Sequence, residues 1–209
     1  MKIIVFGASG GTGKEIVKQA LEAGYSVTAF VRNPAKIDLT HPNLGIFQGD
    51  AQNAGEVEKA ISGHEAVISA LGPTRPAVPG MMATAAKNIV DAMKKHKISR
   101  LVSTTGAGVR DPQDQPKLID HLMKGLLSLL AGEVLRDSSA NVSIIQGSDL
   151  DWTIVRFPRL IDGQKTGKYR VGYVGRNSGS QLSRADGADF VLKELPEKKY
   201  LHKMPVVSY

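Results

Sequence analysis

Short apolar runs recur along the chain at 2–6 (KIIVF), 26–31 (SVTAFV), 44–48 (LGIFQ), 66–71 (AVISAL), 100–105 (RLVSTT) and 152–157 (WTIVRF). Most are unbroken rather than alternating, the pattern of strands covered on both faces of a parallel sheet. Between them, apolar positions recur at helical spacing. Ile16, Val17, Ala20 and Leu21 share one stripe within 12–23, and Ala85, Ile89, Ala92 and Met93 share another within 81–95. Strand alternating with helix predicts an α/β fold of the Rossmann type, a doubly wound parallel sheet with right-handed crossovers and helices on both faces.

Beyond residue 105 the alternation loosens. Residues 110–116 (RDPQDQP) read as a loop, 117–139 as a helix broken near Gly132, and 172–180 as a glycine-rich connection. Residues 183–195 read as a helix capped by Ser183, with Asp186 three positions on in the manner of a capping box. No repeat or shift of composition marks a boundary. Residues 1–209 are therefore expected to form one domain, with a first half to about 109 and a second from about 110.

Glycine interrupts helices and strands at a cost, so its concentration between the first strand and the first helix needs a reason. Gly7, Gly10 and Gly13 are spaced G-x-x-G-x-x-G, with Gly11 beside them. Gly7 permits a tight turn, Gly10 lets the backbone approach a pyrophosphate, and Gly13 lets helix and strand pack closely. The free N–H groups of the helix start then face the phosphates, and Ser9 and Thr12 add hydroxyls at the same mouth. At the end of the second strand an NAD site carries an acid for the ribose hydroxyls. This chain has Arg32, Asn33 and Lys36 there, and no acid from Ser26 to Lys36. A guanidinium pairs with a 2′-phosphate that a carboxylate would repel, which predicts NADP(H) over NAD(H). Two later strand ends suit the same ligand. Asp50, followed by Ala51, offers a short acceptor for the adenine amino group, and Ala70, Leu71 and Gly72 leave room across the sheet edge.

Composition narrows the partners. The chain is 42% hydrophobic and 22% charged, ordinary for a globular protein, and it has no cysteine for disulfides or thiolate chemistry. No apolar run approaches the roughly 20 residues of a membrane span, and no cleavable leader is evident, so a cytoplasmic protein is expected. The formal charge of +7 is spread out. Its densest runs, 94–97 (KKHK) and 197–200 (EKKY), lack interleaved aromatics. A small-molecule partner is expected, and neither nucleic acid nor membrane.

With those residues in place, the chain resembles the atypical short-chain dehydrogenase/reductase family. Within it, the resemblance is to NAD(P)H-binding proteins similar to biliverdin/flavin reductase and their NmrA-like relatives. The markers are GASGGTG (7–13), VRNPAK (31–36), GD (49–50), SALG (69–72), STTGAG (103–108), DLDWTIVRFPRL (149–160) and SRADGADF (183–190). The resemblance implies that Ser103, Thr104 and Thr105 line the nicotinamide ribose and that Phe157 and Pro158 bound the nicotinamide. Here Phe157 separates Arg156 from Pro158, a departure from the family turn.

The larger departure concerns the Tyr-x-x-x-Lys pair of ordinary short-chain dehydrogenases, in which lysine lowers the tyrosine pKa for proton donation. Residues 110–148 contain no tyrosine, and Asp120 stands four before Lys124, placed for an ion pair. Thr105 and His121 remain as catalytic candidates. His41, His64, His96 and His202 are expected in loop or surface settings, without metal-ligand spacing. The Leu/Met stripe at 118–130 suits either core or a cover over a planar substrate. Three readings follow: an NADPH-dependent reductase of a flavin-like or other conjugated acceptor, a non-enzymatic NADP(H) sensor like the NmrA-like proteins, and a carbonyl reductase with a different proton donor.

Overall fold

The computed structural model describes residues 1–74, 76–116 and 132–209 in full and residues 118–131 as helical backbone. The first half alternates as the pattern predicts. Strands β1 (Lys2–Phe6), β2 (Ser26–Val31), β3 (Leu44–Gln48), β4 (Ala66–Ser69) and β5 (Arg100–Gly106) are interleaved with helices α1 (Gly11–Glu22), α2 (Ala54–Ile61) and α3 (Met81–Lys95). The second half adds α4 (Leu118–Gln146), β6 (Asp151–Phe157), β7 (Arg159–Ile161), β8 (Arg170–Gly172), β9 (Gln181–Ser183), α5 (Arg184–Glu197) and β10 (Val206–Ser208).

The main sheet runs β3-β2-β1-β4-β5-β6-β10-β8, parallel except for β8, and β7 pairs with β9 in a small second sheet. The chain winds outward from β1 through β2 to β3, then returns to place β4 on the other side of β1. This reversal opens a crevice at the carboxyl ends of β1 and β4. The fold is a single-domain, doubly wound Rossmann-type sheet.

Alternate residues of each strand feed two cores. Ile3 and Val5 of β1 pack with Ile16, Val17 and Ala20 of α1 and with Val191 and Leu195 of α5. Ile4 and Phe6 face the other way, toward Val57 of α2, Ile89 of α3 and Ile145 of α4. Continuous apolar strands follow directly from this double coverage.

Several details differ from the sequence-based expectation. Strand β4 stops at Ser69 rather than residue 71, because Ala70 turns to close over the glycine turn, its N–H donating to Phe6 O at 2.9 Å. Helix α4 runs unbroken through Gly132 to Gln146. A helical glycine costs only about 1 kcal/mol, and α4 is tied to α3 beyond that point. The Asp137 carboxylate accepts from Met82 N and Ala83 N, both at 3.0 Å. It thereby caps α3, whose own N-cap, Gly80, has no side chain to do so. Asn141 donates to Met82 O at 3.1 Å. Helix α2 went unpredicted, although Asn53 caps it by accepting from Gly55 N and Glu56 N. Ser183 caps α5 as expected, accepting from Asp186 N at 3.0 Å. The reciprocal half of the box is missing, because Ser183 N donates to Tyr209 Oη. The Asp186 carboxylate instead takes Thr166 N, Thr166 Oγ1, Gly167 N and Tyr209 Oη. His64 lies in a loop, as expected, but not at the surface. It is buried between Ile61 O and Thr28 Oγ1, at 3.1 and 2.8 Å.

Candidate functional site

The crevice begins where β1 ends. Gly7 has φ +75°, the left-handed region that a side chain disfavours, and a Cβ there would lie 2.5 Å from Ala70 O. A Cβ on Gly13 would overlap the Gly7 carbonyl. Gly10 N donates to Gly7 O at 2.9 Å and Lys14 N to Gly10 O at 2.8 Å, so the turn runs straight into α1. Gly10 is the N-cap of α1, and no side chain caps it among the described residues. The N–H groups of Gly11, Thr12 and Gly13 therefore point out of the helix end without intrahelical partners, an arrangement that attracts anions. Ser9 and Thr12 are half-buried in the same turn. Ala70 and Leu71 border it, and Gly72 beyond them is exposed.

Along the crevice, Arg32 leaves β2 exposed and has no ion pair among the described residues. Asn33 is occupied in capping the following 3-10 turn, accepting from Ala35 N at 3.0 Å, and Lys36 lies exposed at the end of that turn. The next acid, Asp38, is held by Lys14 of α1 at 3.1 Å. Asp50 uses one carboxylate oxygen to accept from Gln52 N at 2.9 Å, while buried Ala51 accepts from Asn88 through its carbonyl. Gly49 before them is bare for packing, since a Cβ would lie 2.8 Å from the Phe30 ring.

The other predicted residues meet at the carboxyl ends of β5 and β6. Thr105 is in register with Arg156 and Gly106 with Phe157, and Ala107 N donates to Phe157 O at 2.7 Å. Ser103 and Thr104 are buried in the sheet. Thr105 Oγ1 is buried with no hydrogen-bond partner among the described residues. The Phe157 ring turns away toward α5, where a Cβ on Gly187 would lie 3.1 Å from it. Pro158 follows on the rim of an open cleft of about 1400 Å³, whose apolar walls include Val109, Pro112, Val134 and Leu135.

Two features of the candidate site carry no signal in the sequence. The first is Arg156, fully buried beneath the cleft. It donates to Met204 O at 2.7 Å, to Val109 O at 3.0 Å, and through both terminal nitrogens to Asp114 at 2.8 and 2.7 Å. Burial alone would raise the Asp114 pKa, but Arg156 and the N–H groups of Asp111 and Val174 outweigh it and hold the carboxyl below its ordinary value. Since Gln115 N also donates to Val174 O at 2.8 Å, the 109–116 segment and residues 174–175 are joined as two walls of the cleft. The second is Arg184, which lies against Gly11 at the start of α1 and pairs with Asp162 at 2.6 Å. The residue types gave no signal for either, because the partners are distant in sequence. His121, with Asp120, Lys124 and the 118–130 stripe, lies outside the residues whose side chains are described.

Comparison with known proteins agrees with this geometry. A family model described as NAD(P)H-binding matches residues 7–198. The uncharacterized protein YwnB of Bacillus subtilis (strain 168) is 32% identical over 216 residues, covering 95% of each chain. A short-chain dehydrogenase/reductase from Veillonella parvula, solved in complex with NADP, superposes with a TM-score of 0.81 at 20% identity, over 100% of this chain and 94% of that one. ChuY, an anaerobilin reductase of Escherichia coli O157:H7, gives 0.78 at 23% identity, over 100% and 97%. At those identities the two structures show a shared fold. Among the described residues, no helix is long and apolar enough to cross a membrane.

Proposed function

The chain belongs to the NAD(P)H-binding family, and from that premise we propose that it is an NADPH-dependent reductase of a flavin-like or quinone-like conjugated acceptor. The residues fit the dinucleotide: the turn is bare where any Cβ would clash, its helix end is uncapped, and Arg32 stands free of a counter-ion among the described residues. In this reading the 7–13 turn holds the pyrophosphate, with Ser9, Gly10, Gly11 and Thr12 in contact. Arg32 and Lys36 pair with the 2′-phosphate, which makes NADP(H) the preferred cofactor. Asn33, Asp50 and Ala51 flank the adenosine, and Ala70, Leu71 and Gly72 border the middle of the ligand. Thr105 and Pro158 flank the nicotinamide, with Ser103 and Thr104 in the buried strand behind them and Phe157 contributing its backbone rather than its ring. Residues 1–109 thus serve the cofactor and 110–209 the acceptor, in a cytoplasmic setting.

The dinucleotide, when bound, supplies a hydride, so that NADPH, a proton and the oxidised acceptor give NADP⁺ and the dihydro acceptor. The protein's part is to place the acceptor: the apolar cleft walls hold a planar ring at the carboxyl ends of β5 and β6 and exclude water from one face. One observation carries the choice of acceptor. None of the five tyrosines lines the cleft among the described residues. Tyr169, which lies near Lys193, is bonded to Asp189, and burial together with that carboxylate pushes its pKa up, away from proton donation; Tyr200, near Lys199, likewise does not line the cleft. A ketone needs a proton at its developing alkoxide, whereas a flavin or quinone spreads the charge onto oxygens that solvent protonates. An anaerobilin reductase and an NADP-bound dehydrogenase among the structural neighbours support the same reading.

The test is NADPH oxidation against FMN, FAD, quinones, biliverdin and aldehydes. Slow reduction of FMN is expected, surviving His121→Ala with less than about a tenfold loss, since general acid catalysis is worth about 10²–10⁴-fold. Preference for aldehydes would overturn the reading. Tight NADPH binding without oxidation by any acceptor would assign the chain the sensing role of its NmrA-like relatives instead.

A further inference from the structure

Of the four glycines in the turn, Gly11 has no explanation in the pyrophosphate geometry. Its backbone is helical, and the three atoms nearest to a Cβ there would all belong to one side chain. What it would meet is Arg184, 2.7 Å from Nε and 2.8 Å from Cδ. Gly11 is bare so that the Arg184 side chain can lie across the first turn of α1. The root of that side chain is fixed, because Ser183 caps α5 beside it and Gln19 of α1 donates to Ala185 O at 2.9 Å. The Arg184 side chain is 31% exposed, and that of its ion-pair partner, Asp162, is 97% exposed.

We infer that Arg184 is a second cation of the phosphate site: it reaches the pyrophosphate of the dinucleotide held at the α1 N-terminus, and Asp162 competes for it. The inference rests on the dinucleotide reading of the 7–13 turn. An ion pair with so exposed a carboxylate contributes little, so the guanidinium can change partners cheaply. A pyrophosphate over an uncapped helix end offers it the stronger, charge-assisted bonds. Because this contact precedes the adenosine ribose, it distinguishes neither NADPH from NADH nor one acceptor from another.

Fluorescence titration of NADPH and of NADH tests it without turnover. Arg184→Met keeps the apolar stem over Gly11 and removes the charge. It should weaken both cofactors by the same factor, about tenfold, with Arg184→Lys recovering part of the loss. Asp162→Asn removes the competitor and should tighten both about twofold. Unchanged binding in Arg184→Met, loss of NADPH alone, or weakening in Asp162→Asn as large as in Arg184→Met would each overturn the inference while leaving the dinucleotide reading intact. Wild-type protein that bound neither cofactor would overturn both.

Discussion

Arg156 and Asp114 meet in a two-pronged ion pair beneath the cleft, Nη2 to Oδ1 at 2.7 Å and Nη1 to Oδ2 at 2.8 Å, with the guanidinium fully excluded from solvent. The pair is worth less as an attraction than its removal costs, because either partner alone is a buried, uncompensated charge. Asp114→Ala should therefore destabilise the protein by about 3–5 kcal/mol, measured by urea unfolding. It should also raise KM for the acceptor more than it lowers affinity for NADPH, since the walls it joins belong to the cleft. The Asp114 pKa is depressed in the folded state, so the pair's contribution is present above the ordinary value of 3.8 and is lost as pH falls through the folded value. Wild-type stability should drop steeply below about pH 4, and the Asp114→Ala variant should show a shallower acid limb.

Gly10 and Gly13 should separate binding from folding. A side chain at 10 meets only Gly7 O, at 3.3 Å, whereas one at 13 overlaps that carbonyl. Gly10→Val should keep a near-normal melting temperature and lose NADPH binding. Gly13→Val should lose the fold first, seen as a collapsed melting transition. A Gly10→Val protein that binds NADPH normally would remove the pyrophosphate from this turn.

Arg32 should set cofactor choice. NADPH should bind at least about tenfold more tightly than NADH, a difference of about 1.4 kcal/mol that one charged, bidentate contact can supply. Arg32→Asp should invert the preference in paired titrations. Equal affinities in the wild type would mean that the exposed arginine is ordinary surface.

His64 gives a second pH signature, of the opposite residue type. Burial lowers its pKa below the ordinary 6.5, against the raising effect of its bond to Ile61 O. The unfolded chain then binds a proton before the folded one does, so stability is full above 6.5 and declines as pH falls below it. His64→Gln should flatten the stability profile below pH 6.5, and the His64 ring should titrate below its ordinary value by NMR.

The first half of the fold and the glycine turn were legible because their signals are local. The strand periodicity, Gly7 with its positive φ and Gly13 with its close approach are each dictated by residues within a few positions. The second half was less legible for the same reason. Arg156 reads as one more charge after an apolar strand until Asp114 and Met204 are folded onto it, and Arg184 reads as a helix-start arginine until Gly11 lies beneath it. Strands β7 to β10 are three residues each, too short for any period to register. The supposed break at Gly132 weighed a local propensity against tertiary contacts that lie farther along the same helix.

The loan of the α3 cap from Asp137 ties two parts of the amide-exchange map together. The Met82 and Ala83 amides sit at the start of α3, where a helix with its own cap would open and close by local fraying. Here their hydrogens are covered by a carboxylate from α4, so they become accessible only when α4 lifts away. Their exchange rates therefore clock the separation of α4 from α3, and with it the opening of the cleft wall that Val134 and Leu135 provide.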